Sequence, residues 1–350
     1  MNRFNDHIEQ LPLTVISSLS QIDGLNGQWI GGARLSPQAL GRLKRSVLIT
    51  SAGASTRIEG AKLSDIEVEK LMRGLATQKL KDRDEQEVRG YYEALRTVFD
   101  SWQDIQFSEN SIKQLHAELL KYTHKDERHR GDYKKLENSV EMKDASGTVV
   151  GVLFETTPAY LVPKQMSELT AWTQEALQAK TYHPLLITAN FIVEFLKIHP
   201  FLDGNGRLAR VMTNLLMLQA GYGYVPYVSH EKLIEDAMTD YYIALRRSQA
   251  TFKTKQESIV AWVRFFLQVS RTQAKQAIEL LSGEAIEKLL SPNQLLVWGY
   301  MQTVHETSIQ EITAATRVAR PTVRQAVERL LQLRRIERLG LGRTTRYRKV

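Results

Sequence analysis

Apolar positions along most of the chain recur at three- and four-residue intervals, the period of helices packed on one face. Ser36 followed by Pro37 is an N-cap and first-turn signal, and the spacing predicts a helix running past Leu40, Leu43 and Val47. SAGASTRIEG, residues 51–60, reads as a separate short helix that Gly60 can end in the left-handed conformation. Ser64 and Glu67 have the spacing of a capping box for the next helix. Residues 84–103 and 108–123 continue the pattern, with Val88, Tyr91, Tyr92, Leu95 and Val98 on one side. Residues 1–35, which carry Pro12 and glycines at 24, 27, 31 and 32, read as irregular.

The period changes between residues 124 and 162. HKDERHRGDYKK is polar, and SVEMKDASGTVVGVLFE reads as two extended runs around Asp144–Gly147, a β-hairpin at about 140–155. Helices are predicted over 164–178, over 184–198, from about Gly206 to just before Gly221, and over 230–250 and 255–280. In the one after Gly206, Leu208, Val211, Met212, Leu215 and Leu216 form the apolar stripe, and Arg207 and Arg210 share another face.

At Ser291 the pattern restarts with a helix, then a helix capped by Ser308 and Glu311, then one with Pro321 in its first turn. Val323, Val327, Leu330 and Leu331 form the inward stripe of the third, which leaves Thr322, Arg324, Gln325 and Glu328 outward, and a basic two-stranded end follows over 336–348. The predicted fold is mainly α. Its parts are an N-terminal helical region (1–110), a helical core with the hairpin (111–250), connecting helices (251–290) and a small C-terminal domain (291–350).

Composition changes this picture in two ways. With no cysteine, disulfides, thiolate metal sites and a Cys nucleophile are excluded. The net charge of +8 is uneven: residues 291–350 hold ten Arg and one Lys against four Glu, or +7, so the other 290 residues sum to about +1. A basic module on a nearly neutral body points to a polyanion partner for that module. The first ten residues lack the apolar core of a signal peptide, and no apolar run approaches the roughly 18 residues of a membrane helix, so a soluble, cytoplasmic protein is expected. Arg-Gly-Asp at 130–132 then reads as a chance occurrence.

The candidate chemistry lies in HPFLDGNGRLAR, residues 199–210. A loop entering a helix offers unpaired N–H groups at the positive end of the helix dipole, which suits phosphate oxygens. Gly204 and Gly206 let that backbone approach an anion closely. Arg207 and Arg210 can grip further phosphates, Asp203 can hold Mg²⁺ between them, and His199 can take a proton from an attacking hydroxyl. No G-x-x-x-x-G-K-[ST] occurs, so the site is not a P-loop.

HPFLDGNGR with Arg210 resembles the H-P-F-x-D-G-N-G-R-x-x-R signature of the Fic family at every specified position, and the resemblance extends over roughly residues 36–280. It implies a self-inhibited protein adenylyltransferase that moves AMP from ATP to a Ser, Thr or Tyr hydroxyl of a target protein or of itself. By that resemblance His199 is the base and Asp203 the Mg²⁺ ligand. Asn205 and the loop amides of Gly204 and Gly206 hold the α-phosphate, Arg207 the β- and Arg210 the γ-phosphate. Gly206 favours AMP transfer, because phosphorylating relatives have lysine there. The hairpin matches the flap that holds the target by strand pairing, and Tyr242 and Gln249 resemble residues on the adenine and ribose side.

Ser55 and Glu59, with Gly60, resemble the family's inhibitory S/T-x-x-x-E-G motif, in which the carboxylate takes the γ-phosphate's arginine. Residues 291–350 resemble a winged helix-turn-helix, which implies DNA as a partner. Two alternatives stand beside the transferase: a DNA-binding regulator whose Fic core senses nucleotide, and an enzyme that removes AMP with Glu59 activating water. A homodimer is a further expected partner state.

Overall fold

The computed structural model describes residues 3–32, 37–74, 80, 82–143, 149–252, 254, 256–332, 335–340 and 345–349. The chain divides into two compact units, Met1–Ile278 and Glu279–Val350. The first is helical but for one hairpin. In order come α1 (Arg3–Glu9), α2 (Thr14–Gly32), α3 (Pro37–Ile58), α4 (Asp65–Gly74), α5 (Arg83–Ser101) and α6 (Glu109–Leu119), then a 3-10 turn at His124–His129. The hairpin, β1 (Ser139–Lys143) and β2 (Val149–Glu155), leads to α7 (Val162–Ala179), α8 (Pro184–Ile198), α9 (Asn205–Gln219), α10 (His230–Asp236) and α11 (Met238–Gln249). The last helix, α12 (Val260–Leu289), runs on into the second unit's residues.

Helix α8 is the centre. All its residues except Pro184 and Lys197 are buried, because α7 and α9 pack against it. Helix α9 is buried almost all round rather than along one stripe: Asn205, Arg207, Arg210, Thr213 and Asn214 are as enclosed as its leucines. Helices α5 and α6 pack against α9 and against each other. Gly90 lets them do so, since a Cβ there would collide with the Leu119 carbonyl.

Several predicted elements differ in the structure. Residues 3–32 are two helices, not an irregular segment. Pro12 falls between them, and a Cβ at Gly24, Gly27 or Gly31 would meet nothing. Those glycines therefore sit on the outer side, and burial of Val15, Leu19, Ile22 and Trp29 outweighs their cost of about 1 kcal/mol each. Residues 37–58 form one unbroken helix, so 51–58 is its last two turns and not a separate short helix. Gly60 does take the left-handed conformation (φ 102°). The predicted helix over 230–250 breaks at Ala237 (φ −114°, ψ 31°), and that over 255–280 starts at Val260 and runs to Leu289. The predicted N-cap Ser36 and hairpin turn Asp144–Gly147 lie outside the described residues. Strands β1 and β2 pair antiparallel, Ser139 with Glu155 through Lys143 with Val149, with two register shifts.

The second unit runs α13 (Pro292–Gln302), β3 (Glu306–Thr307), α14 (Ile309–Thr316), α15 (Arg320–Gln332), β4 (Ile336–Leu339) and β5 (Arg346–Lys349). The strands form one antiparallel sheet in the order β3-β5-β4, and β3 was invisible in the residue pattern because it is two residues long. Val297, Ile312, Val323, Val327, Leu330 and Ile336 form its core. The capping box of Ser308 and Glu311 is formed. No described helix in either unit is long and apolar enough to cross a membrane.

Candidate active site

The site is assembled where α8 ends and α9 begins. His199 caps α8 in the left-handed region (φ 51°, ψ 61°), and its N–H donates to the Phe195 carbonyl at 2.9 Å. Its Nδ1 lies 3.3 Å from the Leu196 carbonyl. A proton assigned to Nδ1 from that contact puts the ring lone pair on Nε2. Burial lowers the imidazole pKa to about 4 against the opposing pull of the Leu196 carbonyl, so the ring is neutral at physiological pH.

The loop that follows is pinned from several sides. Asn205 Oδ1 accepts from the Phe201 N–H (2.9 Å) and its Nδ2 donates to the Phe201 carbonyl (2.8 Å). Its side chain therefore closes the loop, and one Nδ2 hydrogen remains beyond these two bonds. His116, fully buried, stacks on Phe201 with ring centroids 3.7 Å apart. Its Nε2 donates to the Asp203 carbonyl (2.9 Å) while Nδ1 accepts from the Gly131 N–H (2.9 Å). That pattern requires a neutral ring, and burial lowers its pKa to about 4. Gly204 takes the left-handed conformation (φ 80°) that turns the chain into α9. The first-turn N–H groups of α9 then have no carbonyl within the helix and face outward from its positive end.

The base of the hairpin is tied to the same loop. The Lys134 N–H donates to the Pro200 carbonyl (2.8 Å), its Nζ to Thr156 Oγ1 (2.8 Å), and Asn138 Nδ2 to the Phe201 carbonyl (3.0 Å). Burial lowers the Lys134 pKa to about 8.

Both arginines are buried. Arg207 pairs with Asp203 Oδ2 and Glu87 Oε2, each at 3.0 Å. Asp203 Oδ2 also accepts from Arg83 at 2.7 Å, and its Oδ1 accepts from the Gly204 N–H at 2.7 Å. Burial pushes the carboxyl pKa up, but Arg207, the Gly204 N–H and Arg83 together bring it below its ordinary value.

Arg210 donates through Nε to Ser55 Oγ (2.7 Å), and through Nη2 to the Ser55 carbonyl (2.9 Å) and Glu59 Oε1 (2.7 Å). Burial opposes its charge, and Glu59 more than restores it. Glu59 also lies against the loop itself, since a Cβ at Gly206 would collide with its Oε1. The end of α3 and the start of α9, separated by some 150 residues, thus meet at one carboxylate.

Tyr242 donates to the Ile58 carbonyl at 3.1 Å, beside Glu59. Gln249 is 4 % exposed, and both polar atoms of its side chain lack a hydrogen-bond partner among the described residues. Arg83, Glu87, His116, Lys134 and Asn138 were not among the residues singled out above. Each lies 63 or more positions from its partner in the motif, so only the folded chain shows the pairing.

The fold itself is shared with solved Fic proteins. A Fic family protein from Desulfovibrio desulfuricans G20 superposes with a TM-score of 0.62 over 97 % of each chain at 23 % identity. Fic-1 of Caenorhabditis elegans gives 0.62 over 77 % of this chain and 74 % of that one at 21 % identity. In sequence, residues 106–217 match the Fic/DOC family. A probable protein adenylyltransferase of Aquifex aeolicus is 31 % identical over 86 residues, 25 % of this chain and 26 % of that protein. The protein adenylyltransferase fic-1 of C. elegans is 32 % identical over 73 residues, 21 % and 14 % of the two. The chain thus spans about a quarter or less of these curated relatives.

Proposed function

We propose that the chain transfers AMP from ATP to a Ser, Thr or Tyr hydroxyl of a target protein, or of itself, and that Glu59 holds this activity off. The observation that carries the reading is the meeting of a neutral His199, the α9 N-terminus and two buried arginines of its first turns, with Glu59 bonded to Arg210 at 2.7 Å. The hydroxyl oxygen attacks the α-phosphorus, the bond from that phosphorus to the bridging oxygen breaks, and pyrophosphate leaves. His199 Nε2 takes the hydroxyl proton. The α9 amides, Arg207 and Arg210 hold phosphate oxygens, so their contribution is positioning and charge stabilisation. Tyr242 and the unpaired amide of Gln249 serve the nucleoside end, and the hairpin presents its edge to the target backbone.

Mg²⁺ fits this donor set. Among the described residues no group of three or more metal-ligating side chains occurs, but this ion takes one or two carboxylates plus substrate oxygens. Asp203, ionised and with its side chain 34 % exposed, is such a carboxylate. When bound, the ion would neutralise charge between the phosphates.

Glu59 on Arg210 occupies the γ-phosphate's partner, and ATP could then enter only in a pose unfit for in-line attack. Its 34 % exposed carboxylate, close to the same loop, also supports the alternative of AMP removal through activated water. The test is to label a cell lysate with α-labelled ATP and the Glu59→Gly chain, then identify the products by mass spectrometry. Transfer predicts AMP on protein hydroxyls that vanishes with His199→Ala. A purified modified target losing AMP to the wild-type chain would favour removal.

For the second unit we infer DNA binding through a winged helix-turn-helix. Its helix-strand-helix-helix-strand-strand order supports this, as do Arg320, Arg324 and Gln325 exposed on α15. A gel shift across a salt series tests it: affinity must fall steeply with salt, and no shift with any duplex at low salt ends the claim.

A further inference from the structure

Four charged side chains close a ring beside the phosphate loop. Arg83 Nη2 meets Asp203 Oδ2 at 2.7 Å, Arg83 Nε meets Glu87 Oε1 at 2.6 Å, Glu87 Oε2 meets Arg207 Nη1 at 3.0 Å, and Arg207 Nη2 returns to Asp203 Oδ2 at 3.0 Å. Asp126 stands further off, 3.9 Å from Arg83. Charges alternate round the ring and sum to zero. Its corners differ in freedom: the side chains of Arg207 and Glu87 are 3 % and 10 % exposed, those of Asp203 and Arg83 34 % and 47 %. Arg83 is the first residue of α5, behind its N-cap Asp82, and lies outside the segment matched to the Fic/DOC family.

We propose that Arg83 is a positioning residue that holds Asp203 in the place of the divalent cation and gives it up when a metal nucleotide binds. The inference rests on the nucleotide reading above. Two guanidiniums already share Asp203 Oδ2, and a divalent cation would add a third positive centre to one carboxylate, so one guanidinium must give way to it. Arg207 cannot be the one to leave, because withdrawal would strand a buried guanidinium and break its pair with Glu87. Arg83 can swing into water while Glu87 keeps its other edge. Until it does, Arg83 neutralises a carboxylate that would otherwise repel the triphosphate and pull on Arg207.

The test is the binding of α,β-methylene ATP, which cannot be cleaved at the reacting bond, to chains carrying Glu59→Gly so that the inhibitory carboxylate is absent. Arg83→Ala should weaken binding about tenfold in EDTA and no more than about twofold at saturating Mg²⁺. Arg83→Lys should recover most of the EDTA affinity, and Arg83→Met should not. An equal loss under both conditions would mark a merely structural role and overturn the proposal. So would a larger loss with Mg²⁺, no loss in either, or rescue by Met. If the chain with Arg83 intact binds no analogue under either condition, the nucleotide reading itself falls, and this inference with it.

Discussion

Replacing Glu59 by glycine removes one partner of a pair whose other member is almost wholly buried. Arg210 Nη2 and Glu59 Oε1 are 2.7 Å apart, with side chains 3 % and 34 % exposed. A charge-assisted hydrogen bond of this kind contributes about 1.5–3 kcal/mol. The exposure of Glu59 argues for the lower part of that range, about 1.5–2 kcal/mol. At about 1.4 kcal/mol per factor of ten, the blocked arrangement is then favoured roughly 10- to 30-fold. Glu59→Gly should raise the initial rate of self-labelling with α-labelled ATP by about that factor at ATP concentrations below saturation. Glu59→Gln keeps a neutral hydrogen bond and should fall between the two. The pair of substitutions Glu59→Gly and His199→Ala should give no labelling. Glu59 follows the C-terminal end of α3, where a negative charge is unfavourable, so its removal should cost the fold little. Rates within twofold for wild type and Glu59→Gly would refute the reasoning, because the carboxylate would then not be competing for Arg210.

Three other outcomes are expected. With the His199 pKa lowered to about 4 by burial, the base is neutral above that value, so the labelling rate of Glu59→Gly should show no loss from protonation of His199 between about pH 7 and 5.5; a midpoint near 6.5 would place the ring in water. Protonation of buried His116, whose pKa is also lowered from 6.5 to about 4, is disfavoured in the fold, so the stability contributed by the neutral ring is complete above about pH 6.5 and lost as pH falls toward about 4. Thermal melts should fall over that interval, and less so in His116→Asn. Gly90→Ala should destabilise by about 1–3 kcal/mol in denaturant titration, because its Cβ meets the Leu119 carbonyl backbone rather than a side chain that can move.

The residues of the candidate site were legible as a group because they are contiguous. His199 to Arg210 is one stretch, and a loop feeding a helix fixes the relation of its members by local geometry alone. Glu59 was legible as a resemblance, but its partner was knowable only by analogy, since nothing local joins positions 59 and 210. The ring of Arg83, Glu87, Asp203 and Arg207 was hidden for the same reason: each half is an ordinary i, i+4 pair, and only packing of α5 on α9 turns two such pairs into a closed circuit. Asn205 illustrates a different limit. The resemblance gives it a phosphate role, and the fold adds two bonds to Phe201 that no local pattern announces. In α2 the glycines pointed to irregularity and the buried spacing of Val15, Leu19, Ile22 and Trp29 prevailed, a contest of local cost against tertiary gain.

The backbone of His199 has a consequence for how this chain can change. A residue with a Cβ held at φ 51°, and followed by proline, sits in a conformation that costs roughly 1–2 kcal/mol and that glycine adopts freely. At this position the imidazole and the relaxed backbone are mutually exclusive, so resistance to heat and the ability to accept a proton pull in opposite directions. His199→Gly sheds that backbone cost and His199→Ala keeps it, so of these two variants without the proposed base the glycine chain should melt at the higher temperature. A library selected for thermal resistance alone, with histidine excluded, would therefore settle on glycine at this position.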